Sequence, residues 1–281
     1  MQWEQFFFHK KFVKLKSKVN QNMENLGFIG MGNMAQALCS GFAKSRKIER
    51  EKMFAFAPNQ EKLKLNAQKL GFNACSSVKE LVEKCSTIVM ACKPYQIEDV
   101  LKQINLEGKT LISIALGWNF SKYKNYVNTE LVHLQFVMPN TPAMVSEGMF
   151  LFEKSNSLKE EERKEFIELF AALGTVEELP DNLMGIGGAI SGCGPAFVDL
   201  FIEAYADAAV KYGIPRTTAY KLVSQTVLGS AKLQLKTGEH PAVLKDNVCS
   251  PAGSTICGVT SLEKSGLRTA CIESIDAIMN R

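Results

Sequence analysis

Two short segments hold most of the ligand-binding chemistry that this sequence offers. Near the C-terminus, "KDNVCSPAGSTICG" (245–258) gathers Ser250, Gly253, Ser254 and Thr255 around Pro251, in a region otherwise patterned as packed helices. A helix ending near Val248, a Pro251–Ala252–Gly253 turn and a new helix from about Ser254 would leave backbone N–H groups open beside hydroxyls. That combination receives a small carboxylate without needing a cation. The same residues also read as an ordinary cap between two helices, because Ser250 and Ser254 are N-cap types and Thr255 then faces the cap. Spacing alone leaves both readings open.

The second segment, "FIGMGNMA", sets Ile29, Gly30, Met31, Gly32, Asn33, Met34 and Ala35 directly after a predicted strand and at the start of a predicted helix. This is G-x-G-x-x-A. Gly30 permits a tight turn, Gly32 lets backbone approach a pyrophosphate, and Ala35 allows close helix–strand contact. The helix N-terminus adds free N–H groups and a partial positive charge. An NAD site usually places a carboxylate at the end of the second strand to hold the ribose diol. Here that strand ends in Ala57, Pro58 and Asn59, with Lys62 the nearest cation. The missing acid favours NADPH and leaves NADH open.

Two further loops belong to the same sheet edge. "VMACKP" delivers Ala91, Cys92, Lys93 and Pro94 to the C-terminal end of a strand, and Pro94 keeps Lys93 out of helical conformation. It reads as a ligand loop or as a plain strand-exit turn. "VMPNTPAM" (137–144) is bounded by prolines, and its Asn140 and Thr141 would bond a ligand amide or stabilise the turn.

The elements that must position these residues fall into two halves. From about 25 to 155, apolar runs at 25–30, 52–57, 86–92, 110–115 and 131–138 alternate with helical periodicity such as Met34, Leu38 and Phe42. Fully apolar strands alternating with amphipathic helices predict an α/β, Rossmann-like parallel sheet covered on both faces. "EGMFLFE" and "GTVEELP" would extend it around a charged helix near 158–173. From about 182 strands disappear, and stripes such as Phe197, Phe201 and Tyr205 predict an all-helical domain entered through a glycine-rich "AISGCGPAF". Gly213 with Pro215, and Gly238 with Pro241, read as helix stops and starts. The expected division is a disordered or non-essential extension at 1–22, a dinucleotide-binding domain at 23–180 and a helical substrate-binding and dimerisation domain at 181–281.

Composition narrows the function classes. The chain is 281 residues long, 46% hydrophobic and 22% charged. Of its 33 basic residues five lie in the first 22 positions, against one of its 29 acidic ones, so the remainder is balanced at 28 each. Charge therefore gives nucleic-acid binding no support. No uninterrupted apolar run reaches the ~20 residues of a membrane span. The first segment, "MQWEQFFFHKKFVKLKSKVNQN", lacks the order of a secretory signal, and Met23 would open the folded chain. Its basic-amphipathic pattern alone would also suit a membrane-surface anchor. Eight cysteines with no C-x-x-C pair, most in apolar surroundings, read as reduced, buried thiols of a cytoplasmic protein, and three dispersed histidines argue against a metal site.

Taken together, "GFIGMGNMA", "ACKP", "MPNTPA", "SGCGPAF" and "KDNVCSPAGSTI", in this order, closely resemble pyrroline-5-carboxylate reductase over about 25–281. The resemblance implies reduction of 1-pyrroline-5-carboxylate, a cyclic imine carboxylate, to L-proline by NAD(P)H, the last step of proline biosynthesis. It implies a homodimer through the helical domain, with higher oligomers in some members. It further implies cofactor contacts at Ile29–Met34, Ala91–Pro94 and the strand end around Ile114, Ala115 and Leu116; Ala57 and Asn140, read from their own loops, complete the set of candidate cofactor residues. Substrate carboxylate binding would fall to Ser250, Gly253, Ser254 and Thr255, with Thr255 bonding the ring nitrogen as a proton donor. Ala57 and Asn59 stand where many members carry Ser or Arg for the 2′-phosphate. Three alternatives differ in kind: a 3-hydroxyacid dehydrogenase, another imine reductase, or a nucleotide-sensing protein without a substrate site. The first uses a lysine near the start of the long central helix, and 188–210 contains none.

Overall fold

A computed structural model describes residues 25–281, so the extension at 1–22 and the start at Met23 lie outside the described residues. Strands β1 (Leu26–Ile29), β2 (Met53–Phe56), β3 (Asn73–Ala74), β4 (Thr87–Met90), β5 (Thr110–Ser113), β6 (His133–Met138), β7 (Gly148–Asn156) and β8 (Gly174–Leu179) form one sheet. Helices α1 (Asn33–Ser45), α2 (Gln60–Leu70), α3 (Val78–Lys84), α4 (Ile97–Leu101), α5 (Phe120–Tyr123) and α6 (Glu160–Ala171) lie between them. The strand order is β3-β2-β1-β4-β5-β6-β7-β8. Pairing is parallel from β3 to β6, antiparallel between β6 and β7, and parallel again between β7 and β8.

Every residue of β1, β4 and β5 is buried, as apolar strands covered on both faces require. Leu38, Phe42, Phe166 and Phe170 belong to one core cluster, and Leu81, Ile97, Trp118 and Tyr123 to a second. The apolar runs thus became the strands expected, and "EGMFLFE" and "GTVEELP" became β7 and β8. The two-residue β3 had no signal, because Asn73 and Ala74 are exposed and follow no apolar alternation. The sheet reverses its order between β1 and β4, so the loops after these two strands diverge and leave a crevice at the C-terminal edge.

The remaining chain is helical: α7 (Met184–Lys211), α8 (Arg216–Thr237), α9 (Pro241–Val248), α10 (Ser254–Lys264) and α11 (Leu267–Met279). Gly213 and Gly238 take positive φ at the ends of α7 and α8, and Pro241 opens α9 as expected. Two expectations need correction. The glycine-rich segment is not an entry to α7 but its interior, Pro195 included. A Cβ on Gly187 would meet Leu151 and Leu179, and one on Gly188 would meet Met138, so these positions let the helix seat closely on the sheet. The cysteines divide: Cys39, Cys75 and Cys85 are buried, whereas Cys257 and Cys271 are exposed on α10 and α11. The stretch Asp181–Lys211, which contains α7, is also long and apolar enough to cross a bilayer by length and composition alone, although charged residues interrupt it.

The exposed cysteines and the apolar length of α7 share a cause. No residue of α9, α10 or α11 is buried, and Phe197, Val198, Leu200, Phe201 and Tyr205 on α7 remain exposed. Among the described residues, much of the apolar surface of the helical half has no cover. An exposed apolar surface of this extent marks an interaction face.

Candidate active site

The cradle forms as its residue types dictate. Gly30 adopts φ +99°, and a Cβ there would come 2.6 Å from the Cys92 nitrogen. Only glycine takes that turn while passing so close to the β4 exit. Its N–H donates to the Phe56 carbonyl at 2.8 Å, and the Ala91 N–H donates to the Ile29 carbonyl at 2.9 Å, which ties the three strand ends together. Gly32 is the N-cap of α1 in extended conformation, with no side chain capping the helix. Nothing would lie within 4 Å of a Cβ on Gly32. Backbone N–H groups at the positive end of α1 are therefore open to a ligand rather than covered by the protein.

These residues line a cleft of about 730 Å³. Ile29, Gly30, Met31, Gly32, Asn33, Met34, Ala57, Ala91, Cys92, Lys93, Pro94, Ile114 and Ala115 all contribute to it. The volume and the bare phosphate cradle fit a dinucleotide. Pro58, Asn59 and Lys62 close the end beyond β2. There Asn59 caps α2, its Oδ1 accepting the Lys62 N–H at 2.9 Å. Asn66, Gln96 and Val100 also line the cleft without having been singled out in the sequence. Asn66 follows Lys62 at i+4 on one helix face, a spacing that could have exposed it.

The β4 exit loop is held from beneath. Trp118 Nε1 donates to the Pro94 carbonyl at 3.0 Å, and Ser113 Oγ donates to the Trp118 carbonyl at 3.0 Å. Gln96 Oε1 accepts the Lys93 N–H at 3.2 Å and completes the turn. Burial pushes the Cys92 thiol up to about 11, so it stays protonated and serves as packing near the cleft.

Asn140 stands apart from the other cofactor candidates. It does not line the cleft, and its carboxamide is engaged by the fold. Nδ2 donates to the Ser191 carbonyl at 3.0 Å and Oδ1 accepts the Met149 N–H at 2.8 Å.

The C-terminal run forms the two-helix junction expected, with a different cap. Gly253, not a serine, is the N-cap of α10, in extended conformation and without a side-chain cap bond. Ser250 to Gly253 make a turn closed by the Gly253 N–H on the Ser250 carbonyl at 3.0 Å, with Ala252 at φ +57°. Proline followed by a positive-φ residue fits type II geometry, and no side chain caps the first N–H groups of α10. Ser250, Ser254 and Thr255 are exposed. None of the run lines the cleft of its own chain.

Comparisons with known proteins join these two features. A family model described as pyrroline-5-carboxylate reductase dimerisation matches residues 181–281. A second, described as NADP oxidoreductase coenzyme F420-dependent, matches 25–117. The pyrroline-5-carboxylate reductase of Treponema pallidum is 40% identical over 261 residues, covering 91% of this chain and 99% of its own. This chain belongs to the pyrroline-5-carboxylate reductase family. The family member from Escherichia coli is 35% identical, over 92% of this chain and 97% of its own. The crystal structure of the Plasmodium falciparum enzyme with NADP bound superposes with a TM-score of 0.81 at 36% identity, covering 91% and 96% of the two chains. The breadth of these matches takes in the cradle, both halves of the fold and the junction before α10.

Proposed function

We propose that this chain reduces 1-pyrroline-5-carboxylate to L-proline with NAD(P)H, the last step of proline biosynthesis. The observation that carries the reading is the uncapped, hydroxyl-flanked start of α10 in a chain that also builds a complete dinucleotide cleft. A nucleotide-sensing protein would have no use for the former, and a 3-hydroxyacid dehydrogenase would need a lysine that α7 lacks before Lys211.

The dinucleotide, when bound, supplies the hydride. Everything else is orientation and exclusion of water. Gly32 to Met34 would hold the pyrophosphate, and the loops at Ala91–Pro94 and Ile114–Ala115 would flank the nicotinamide half. Backbone N–H groups at Gly253–Thr255, with the Ser250 and Ser254 hydroxyls, would fix the substrate carboxylate. Thr255 Oγ1 would bond the ring nitrogen. An imine protonated at that nitrogen is already electrophilic, so no strong acid or base is required.

Because 250–255 does not reach the cleft of its own chain, a second copy must bring the two together. Cover for the exposed faces of α7–α11 would come from the same association, which makes a homodimer through 181–281 the minimal active unit. Higher oligomers would build on that unit. A cytoplasmic setting agrees with eight free cysteines. NADPH should be preferred over NADH, since Ala57 and Asn59 offer no carboxylate to repel a 2′-phosphate and Lys62 lines that end of the cleft.

Loss of nicotinamide absorbance on mixing the purified chain with pyrroline-5-carboxylate, using NADPH and NADH in parallel, tests the reading. No oxidation with either cofactor would sink it. Lys62→Ala should lower the preference for NADPH about tenfold, the worth of one charge-assisted contact.

A further inference from the structure

The contacts of Asn140 fill a gap that a proline creates. Pro195 lies inside α7 and has no N–H, so the carbonyl four residues earlier loses its helical donor. That carbonyl belongs to Ser191, and Asn140 Nδ2 donates to it at 3.0 Å across 51 residues of sequence. Asn140 is only 7% exposed, and its Oδ1 is fixed by the Met149 N–H at 2.8 Å. The donor therefore cannot turn away without leaving its own buried amide and two part-buried backbone partners unsatisfied.

The bond sits at a pivot. Before it, Gly187 and Gly188 seat the first turns of α7 on Leu151, Leu179 and Met138. Beyond Pro195 the helix presents exposed Phe197, Leu200 and Phe201 and leads into the rest of the helical half. On the other side, the turn that Asn140 opens, residues 141–145, packs on α1, the helix that begins at the cradle. Lys44 of α1 donates to the Met144 carbonyl at 3.1 Å, and a Cβ on Gly41 would lie 3.0 Å from the Ala143 carbonyl. One carboxamide thus joins the scaffold of the cofactor cleft to the point where α7 leaves the sheet.

We propose that Asn140 is a positioning residue. It occupies the proline gap in α7, fixes the direction in which the helical half leaves the sheet, and so sets the alignment of substrate and cofactor rather than the affinity for either. The proposal rests on the reductase reading above.

Asn140→Asp isolates the donor. It keeps an acceptor for the Met149 N–H and turns an oxygen toward the Ser191 carbonyl. Turnover with pyrroline-5-carboxylate should fall about tenfold to a hundredfold, the scale of a misplaced reaction geometry. Affinity for NADPH, titrated by fluorescence without substrate, should stay within about threefold, which misplacement of the partner half leaves untouched. Amide hydrogen exchange across 188–196 should accelerate. An affinity loss in step with turnover would make Asn140 a cofactor ligand and overturn the proposal, as would unchanged turnover or unchanged exchange.

Should that variant not fold, Pro195→Ala tests the same point by restoring an N–H that draws the Ser191 carbonyl back into the helix. Its melting temperature should not fall, whereas its turnover should. Wild-type turnover in Pro195→Ala would equally overturn the proposal. A wild-type chain inactive on pyrroline-5-carboxylate would sink the reductase reading alone, because the exchange measurement tests the pin without catalysis.

Discussion

Helices α1 and α10 begin in the same way. Gly32 (φ −76°, ψ −175°) and Gly253 (φ −74°, ψ 166°) are both extended N-caps without a side-chain bond, so both helices leave N–H groups bare. Their surroundings differ. Behind Gly32 lies a sheet whose strand ends are laced together, and the cradle opens into a cleft built wholly within one chain. Around Gly253 no neighbouring helix has a buried residue. A bare helix start is a general anion receptor. What it receives is decided by the walls that other elements supply, and under the proposed function the second start would obtain its walls from another copy.

Substitutions can break this pairing one side at a time. The largest effect should come at the second start. Thr255→Ala should reduce turnover about a hundredfold or more, the scale of a lost bond that orients the reacting ring, while NADPH affinity and melting temperature hold. Wild-type turnover would remove Thr255 from the chemistry. At the first start the order reverses, because the cradle is part of the folded core. Gly30→Ala forces φ +99° on a residue with a Cβ 2.6 Å from the Cys92 nitrogen. It should cost about 3 kcal/mol in denaturant unfolding and abolish NADPH binding.

Glu153, buried in β7 of the sheet that carries the first start, sharpens the contrast through pH. Burial pushes its carboxyl up to about 7, although the Phe120 N–H donates to Oε2 at 2.8 Å. An acid with a raised folded pKa favours the protonated form. Stability should be greatest below pH 4.5 for this group and be lost as pH rises toward 7. Glu153→Gln should flatten that dependence by about 2–3 kcal/mol in unfolding curves compared across pH. Parallel curves for the two proteins would refute the assignment. The smallest effect belongs to the turn before the second start. Ala252 stands at φ +57°, where glycine is freer, so Ala252→Gly should change stability by less than about 1 kcal/mol and leave turnover intact.

Much of the cofactor half was legible because its signals are local. Gly30 and Gly32 announce a turn whose geometry only glycine allows, and buried strands show as unbroken apolar runs. The serines near 250 were legible as a helix junction but not as its cap, since Gly253 takes that place. Asn140 was legible only as polar and loop-bound. Its partner, Ser191, is 51 residues away and has a free carbonyl only because Pro195 lies in the helix interior. Read locally, the glycines before Pro195 looked like an entry rather than a seated helix.

The sequence by itself determined the glycine cradle, the alternation of strands and helices, the change to a helical half at about 182, and the hydroxyl-rich helix junction at 250–255. These follow from φ preferences and hydrophobic periods, which act over a few residues. The tertiary structure alone decided that thirteen proposed cofactor residues share one cleft while Asn140 binds α7, and that the start of α10 does not line its own chain's cleft. Such facts depend on which distant elements meet, and that is set by packing over the whole sheet rather than by any local preference.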